Sequence, residues 1–294
     1  MNDAASIRRN VIENNDIFNC VKETSDHGPI NSWGRGRFWP LDADDATKKS
    51  YAKLDAMETT VIRHNRIWHS SHWDIDLDDG SSNYLIENNL PLNGGVKLRE
   101  GFHRTVLNNI FVNGGAHFHV WYADNGDVIE NNVFATDNPY DLIGVDMAKS
   151  RPVIDKNVFW NNGKGVADIN DAWRAQGLDV GSVIADPQFT GSNPFTDPKK
   201  LEYTVAAGSP ALGLGFKNIA MDGFGKAGAP PAAAVAGRTG RSVQVPRRAA
   251  PRRNRDPDLL GRDQVVGGPH RLRRPRAQDR AGGFVRLPER SARQ

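Results

Sequence analysis

A short phrase recurs along this chain: aliphatic residues, a variable position, then Asn-Asn or a near relative. It reads Val11-Ile12-Glu13-Asn14-Asn15, Val61-Ile62-Arg63-His64-Asn65, Leu85-Ile86-Glu87-Asn88-Asn89, Val106-Leu107-Asn108-Asn109, Val128-Ile129-Glu130-Asn131-Asn132 and Val153-Ile154-Asp155-Lys156-Asn157. Aligned on the last Asn of each, successive phrases lie 50, 24, 20, 23 and 25 residues apart. A period in the low twenties signals a repeat architecture and outranks local propensity. Each phrase is too short for an amphipathic helix and is followed by Gly, Asn or Asp clusters, so each reads as a short strand ending in a turn. A unit of about twenty residues accommodates roughly three such strands with bends between them. The pattern predicts an all-β chain wound as a right-handed parallel β-helix, a solenoid. A β-sandwich with Asn-rich turns is the competing fold, and the regular period argues against it.

In such a solenoid the equivalent Asn of each coil sits above the last, where stacked amides can bond to one another along the axis. Ile62, Ile86, Leu107, Ile129 and Ile154 are expected to stack inside as an apolar column. The one interval of 50 residues calls for an inserted loop, placed at about 28–58. The β-helix domain is expected over 1–225. Because the chain opens within a repeat phrase, and an open β-helix end would expose strand edges, N-terminal sequence is expected to be missing.

Residues 226–294 break from this pattern. From 227 onward they hold sixteen Arg and five acids, a net charge of +11 that leaves −8 on the rest of the 294-residue chain. The Arg clusters at 247–248, 252–253 and 271–276 suggest polyanion binding. Interleaved aromatics are absent apart from Phe284, and the Ala, Pro, Gly and Arg bias reads instead as a disordered or out-of-frame tail; no nucleic-acid partner is expected. No run of eighteen apolar residues is present for a membrane span. The single Cys20 excludes an internal disulfide framework. With no leader visible, the compartment stays open; a signal peptide in missing N-terminal sequence would send the protein outside a bacterial cell or into its periplasm.

Chemistry concentrates between the phrases. In His72-Trp73-Asp74-Ile75-Asp76-Leu77-Asp78-Asp79-Gly80 strict alternation turns Ile75 and Leu77 inward and places Asp74, Asp76 and Asp78 on one outer face. One coil later, Val96-Lys97-Leu98-Arg99-Glu100-Gly101 repeats the alternation, which sets Asp76 beside Lys97, Asp78 beside Arg99 and Asp79 beside Glu100. Neighbouring rungs are about 4.8 Å apart, and retaining glycosidases need two carboxyl groups roughly 5 to 5.5 Å apart. Asp76 or Asp78 with Glu100 is the catalytic pair this spacing offers. A carboxylate held by Lys97 or Arg99 stays ionised and suits a nucleophile, while Glu100, at a rim with Phe102, suits the acid/base. On the next coil His117, His119 and Trp121 share a face by alternation and are read as substrate-binding, with metal ligation by the two His as the lesser alternative. In the inserted loop, His27, Trp33, Arg35, Arg37, Phe38 and Trp39 suit a wall of a sugar site, rings against pyranose faces and guanidinium groups against hydroxyls.

The segments Asp26-His27-Gly28-Pro29-Ile30-Asn31-Ser32-Trp33-Gly34-Arg35, Asp76-Leu77-Asp78-Asp79-Gly80-Ser81-Ser82-Asn83-Tyr84, Lys97-Leu98-Arg99-Glu100-Gly101 and Ser209-Pro210-Ala211-Leu212 together resemble bacterial parallel β-helix proteins allied to carbohydrate-active enzymes, most of all glycoside hydrolase family 120, the retaining β-xylosidases. The resemblance covers about residues 5 to 225. It implies a β-xylosidase-like hydrolase with Glu100 as acid/base and an Asp of the Asp76 to Asp79 cluster as nucleophile. It implies a carbohydrate substrate and no required cofactor. Two other functions compete. A polysaccharide lyase would hold Ca²⁺ through Asp74, Asp76 and Asp78 and use Lys97 or Arg99 as base. A glycan-binding β-helix would use the same face without turnover.

Overall fold

The computed structural model describes residues 9–225, apart from residues 25, 69, 71, 167, 168 and 198. The expectations for the tail, 226–294, lie outside the described residues. The described chain is a parallel β-helix with four short helices attached. Among the described residues no helix is long and apolar enough to cross a membrane.

Each repeat phrase is a strand, and the six pair in parallel into one sheet: Val11–Glu13, Thr60–Arg63, Tyr84–Glu87, Arg104–Leu107, Val128–Glu130 and Val153–Asp155. In register, Ile12, Ile62, Ile86, Val106, Ile129 and Ile154 form a continuous interior column. The expected place of Leu107 in that column belongs to Val106. Leu107 pairs with Glu87 and Glu130 on the other face, because it lies two residues before its ladder Asn whereas every other member lies three before. Since side chains alternate with a period of two, that one-residue offset turns Leu107 outward.

The second Asn of each phrase forms the expected ladder. The side-chain amide of Asn15 donates to Asn65 Oδ1, and the chain of bonds continues through Asn89, Asn109, Asn132 and Asn157 at 2.8–3.2 Å. Each Oδ1 also accepts the backbone N–H of the preceding ladder Asn. The first Asn does something different. Asn14, Asn88, Asn108 and Asn131, with His64 and Lys156 in their coils, all take φ between 51° and 58°. Asn tolerates this left-handed conformation better than most side chains, which is the reason the phrase has two. The ladder ends on Asp179, whose Oδ1 accepts from Asn157 at 3.1 Å and from Ser182, while its Oδ2 accepts from Trp173 Nε1.

After the bend the chain forms a second wall, with Asp16–Phe18, Arg66–Trp68 and Leu90–Pro91 in one sheet and Ile110–Val112, Val133–Ala135, Val158–Trp160 and Val183–Ile184 in another. Most of this wall is buried on both faces. Its inner side packs Ile67, Phe111, Phe134 and Phe159 into the coil, with Phe134 stacked between Phe111 and Phe159. Its outer side packs Leu90, Ile110, Val133 and Val158 against Tyr203, Val205, Ala211, Phe216 and Phe224 of the C-terminal segment. That segment is pinned by Asn108, which exchanges hydrogen bonds with the backbone of Lys217, and by Asn131, which donates to Leu214 O.

The third wall carries the chemistry. It consists of Ile30–Ser32, Ile75–Leu77, Val96–Arg99, Ala116–His119 and Tyr140–Ile143, all parallel. Ile30–Ser32 is therefore a regular strand of its coil, and the insertion starts after it rather than at residue 28. The extra length is a loop and the helix Asp45–Asp55, whose N-terminus is capped by Asp44 accepting from Thr47 N. The interval of 50 residues is thus a single coil carrying an excursion, since all three of its strands pair directly with the corresponding strands of the next coil.

Candidate active site

Register brings one outward row of the third wall together: Asn31, Asp76, Lys97, His117 and Asp141 stand side by side on five consecutive strands. Their inward neighbours Ile75, Leu77, Val96, Leu98, Ala116 and Phe118 are fully buried core, so alternation forces the polar residues to the groove side. Lys97 Nζ lies 3.2 Å from Asp76 Oδ1 and 3.1 Å from Asp78 Oδ1, with Trp73 4.2 Å away beneath the ammonium. Asn31 donates to Asp76 Oδ2 at 2.9 Å. Arg99 is in ion-pair contact with Asp79 and stands 3.7 Å from Asp78.

At the end of these strands the inserted loop folds back. Gly34 N donates to Asp79 O at 2.8 Å, and a Cβ on Gly34 would meet the Gly80 and Ser81 backbone at 2.4 Å. The glycine is what lets the loop approach so closely. The approach delivers Arg35, whose Nη2 is 2.6 Å from Glu100 Oε2 and 3.4 Å from Asp79 Oδ2. Arg35 Nε and Tyr122 Oη also donate to Glu100 Oε2. Tyr122 stacks on Phe102, and Trp39 of the loop leans on both rings. The site thus alternates Asp76, Lys97, Asp78, Arg99, Asp79, Arg35 and Glu100, each charge beside its opposite.

These contacts set the protonation states. Burial pushes Asp76 up to about 6, against the pull of Lys97. Burial acts on Asp78 in the same sense, but its hydrogen bond and charge interaction with Lys97 hold it below the ordinary carboxylate range. Burial also lowers His72, His117 and His119, which are therefore neutral at pH 7. Among the described residues, buried polar atoms lacking hydrogen-bond geometry to a partner gather here: Asp76 Oδ1, Asp78 Oδ1, Asp79 Oδ1, Arg99 Nε, His117 Nε2 and His119 Nδ1. The carboxylate oxygens and Arg99 are within ion-pair distance of opposite charges, so what they lack is directed bonding rather than neutralisation.

Several sequence-based placements change. Asp74 does not face the groove. It is fully buried, and its Oδ2 accepts from the backbone of Asn93 and Gly94 at 3.0 and 2.8 Å, closing the bend of the next coil. Trp121 is not on the face of His117 and His119. Val120 takes φ 50°, which breaks the alternation, and Trp121 turns into the core to donate to Leu98 O at 2.7 Å. Trp33 projects into solvent at 61% exposure, and His27, itself exposed, makes a long 3.4 Å contact with Asn31. Trp39, expected in the wall of the site, does reach it, whereas Tyr122, Asn31, Trp73 and Asp141 are site residues that sequence reasoning passed over. Asn31, Trp73 and Asp141 lie on or beside strands; Tyr122 meets Glu100 and Phe102 from beyond the end of its strand, where alternation stops, and Trp39 meets Phe102 and Tyr122 through the loop fold.

The calcium site of the lyase alternative fits these residues poorly. Asp76 and Asp78 share Lys97, Asp79 sits between Arg99 and Arg35, and Asp74 is occupied by backbone. Among the described residues no group of three or more His, Cys, Asp or Glu side chains is arranged to hold a metal ion.

Asp74 has a consequence for pH. Burial raises it to about 7, with the Gly94 and Asn93 amides opposing. The folded state therefore holds a proton that the unfolded chain releases near pH 4, and stability falls as pH rises from about 4 through 7. Asp74→Asn keeps an oxygen for the two amides and removes the titration. Relative to wild type it should recover about 3 kcal/mol of the stability lost between pH 5 and pH 8, measured by urea unfolding at both values. Parallel pH dependences for the two proteins would show that Asp74 is ionised throughout.

No family model, no curated protein and no solved structure significantly matches this chain.

Proposed function

We propose that this groove hydrolyses glycosidic bonds with retention of configuration, in the manner of the family 120 β-xylosidases that the sequence resembles. One observation carries the reading: carboxylates from adjacent coils, Asp79 and Glu100, both contact the same guanidinium nitrogen of Arg35. Their contacting oxygens are therefore no more than about 6 Å apart, a range that includes the roughly 5 to 5.5 Å of retaining glycosidases.

In this reading Glu100 is the acid/base. Arg35 and Tyr122 direct their bonds to Oε2, and Oε1 takes none of these three, so it is the oxygen that delivers the proton to the leaving group. Asp79 is the nucleophile, partly exposed between Arg99 and Arg35. Asp78, kept ionised by Lys97, supplies negative charge beside the oxocarbenium-like transition state. Asp76, wholly covered and bonded to Asn31, orients Lys97.

Glu100→Gln keeps the shape and the acceptor for Arg35 and removes the proton. Turnover of xylo-oligosaccharides should fall by about 10²–10⁴-fold with an unchanged circular dichroism spectrum. NMR of the wild-type reaction should show the β anomer first. Undiminished activity in Glu100→Gln, or an inverted first product, would overturn the assignment. Unsaturated uronate products would mark a lyase, and a folded chain that binds sugars without turnover would mark a glycan-binding protein.

A further inference from the structure

On the two strands beyond Lys97, His117 and Asp141 are register partners, and His117 Nδ1 lies 2.9 Å from Asp141 Oδ2. A neutral imidazole bonded this way carries its proton on Nδ1 and presents Nε2 as an acceptor. His117 is only 9% exposed, and its Nε2 is buried without a hydrogen-bond partner. The ring is held from the side by Trp73 and His119, both edge-on at 5.2 and 5.4 Å.

His117 and Asp141 form one wall of a cleft of about 230 Å³ that continues over Trp73, Gly115, Thr136 and Asn138. Asp137 and Asp141 are its charged lining residues, and Lys and Arg do not contribute to the lining. An anionic ligand would meet two carboxylates there with no cation to receive it. A hydroxyl group, able to donate to a buried nitrogen and accept from neighbouring amides, suits the lining.

We infer that this cleft is a second subsite of the groove, taking an uncharged pyranose ring whose hydroxyl donates to His117 Nε2 while Asp141 holds the imidazole in the Nδ1–H tautomer. The inference rests on the carbohydrate reading of the groove but not on its catalytic assignments. It makes His117 a specificity-determining residue, one strand away from Lys97, and Asp141 a positioning residue that acts through it.

The test uses the full chain carrying Glu100→Gln, labelled with ¹⁵N in its imidazoles, with xylotriose and cellotriose as neutral probes and trigalacturonate as the anionic one. A neutral trisaccharide should move the His117 Nε2 resonance in the direction of a newly accepted hydrogen bond. His117→Leu should weaken that binding about tenfold or more by calorimetry. Asp141→Ala, at a half-exposed side chain, retains the fold, and should mix the two tautomers and weaken binding about threefold. A resonance unmoved by saturating neutral sugar, equal affinity in both variants, or tighter binding of trigalacturonate would overturn the subsite. Turnover by the unsubstituted chain is scored separately. Sugar binding through His117 without hydrolysis sustains the subsite and removes the catalytic reading, and hydrolysis with a silent His117 does the reverse.

Discussion

Arg104→Met should lower the unfolding free energy by about 3–5 kcal/mol, the cost of stranding one member of a buried ion pair. Arg104 and Asp127 are both completely buried. The guanidinium donates through Nε and Nη2 to the two carboxylate oxygens, and the Arg104 backbone N–H adds a third bond to Oδ1 at 2.9 Å. Its remaining nitrogen, Nη1, donates to the carbonyls of Arg99 and Glu100. One side chain thus joins a strand to the following coil and also fixes the turn that carries the proposed acid/base. Methionine fills the volume but leaves the Asp127 charge without a counter-ion. The double variant Arg104→Met, Asp127→Leu should recover most of the loss, because an apolar pair of similar volume often equals a buried ion pair. Urea unfolding of the two variants checks this; a single variant within about 1 kcal/mol of wild type would show that Asp127 finds water.

A loss of about 3–6 kcal/mol is expected for Asn109→Ala, in the middle of the ladder, from several unsatisfied groups at roughly 1–3 kcal/mol each. Asn109 Oδ1 accepts from the backbone N–H and the side-chain amide of Asn89. Its own amide donates to Ile86 O, Leu107 O and Asn132 Oδ1. All of these bonds but the part-buried one to Leu107 O are buried, so truncation strands donors and acceptors on three coils at once. The same change at Asn15, an exposed member at the ladder's edge, should cost less than about 1 kcal/mol, since solvent replaces the lost bonds. Equal costs at the two positions would show that position within the ladder does not set the cost.

Both effects bear on how far the fold could be read from the chain. The ladder was legible because it is written as a repeat: a solenoid stacks equivalent positions directly, so a period in sequence is an adjacency in space. The pairing of Asp76 with Lys97 was legible for the same reason, from two alternating segments one period apart. Leu107 failed because the phrase containing it lacks one residue between its aliphatics and its ladder Asn, so taking the second aliphatic of each phrase as the column member departed from the alignment on the ladder Asn. Asp74 and Trp121 failed where alternation itself stops, at a bend and at a left-handed Val120. Strand periodicity says nothing about side-chain direction beyond the last residue of the strand.

The sequence by itself determined the coil: its period, its interior aliphatics apart from Val106, its ladder Asn residues, and the facing acidic and basic rows, because each depends on neighbours at one repeat's distance. Only the tertiary structure decided how the groove is finished. Arg35 reaches Glu100, and Trp39 reaches Phe102 and Tyr122, through an inserted loop that lies outside the repeat, and the C-terminal segment covers a wall of the coil that alternation alone would leave exposed. Contacts of that kind join segments with no common period, so their geometry is fixed by close packing and by a glycine that permits it, and no local pattern records them.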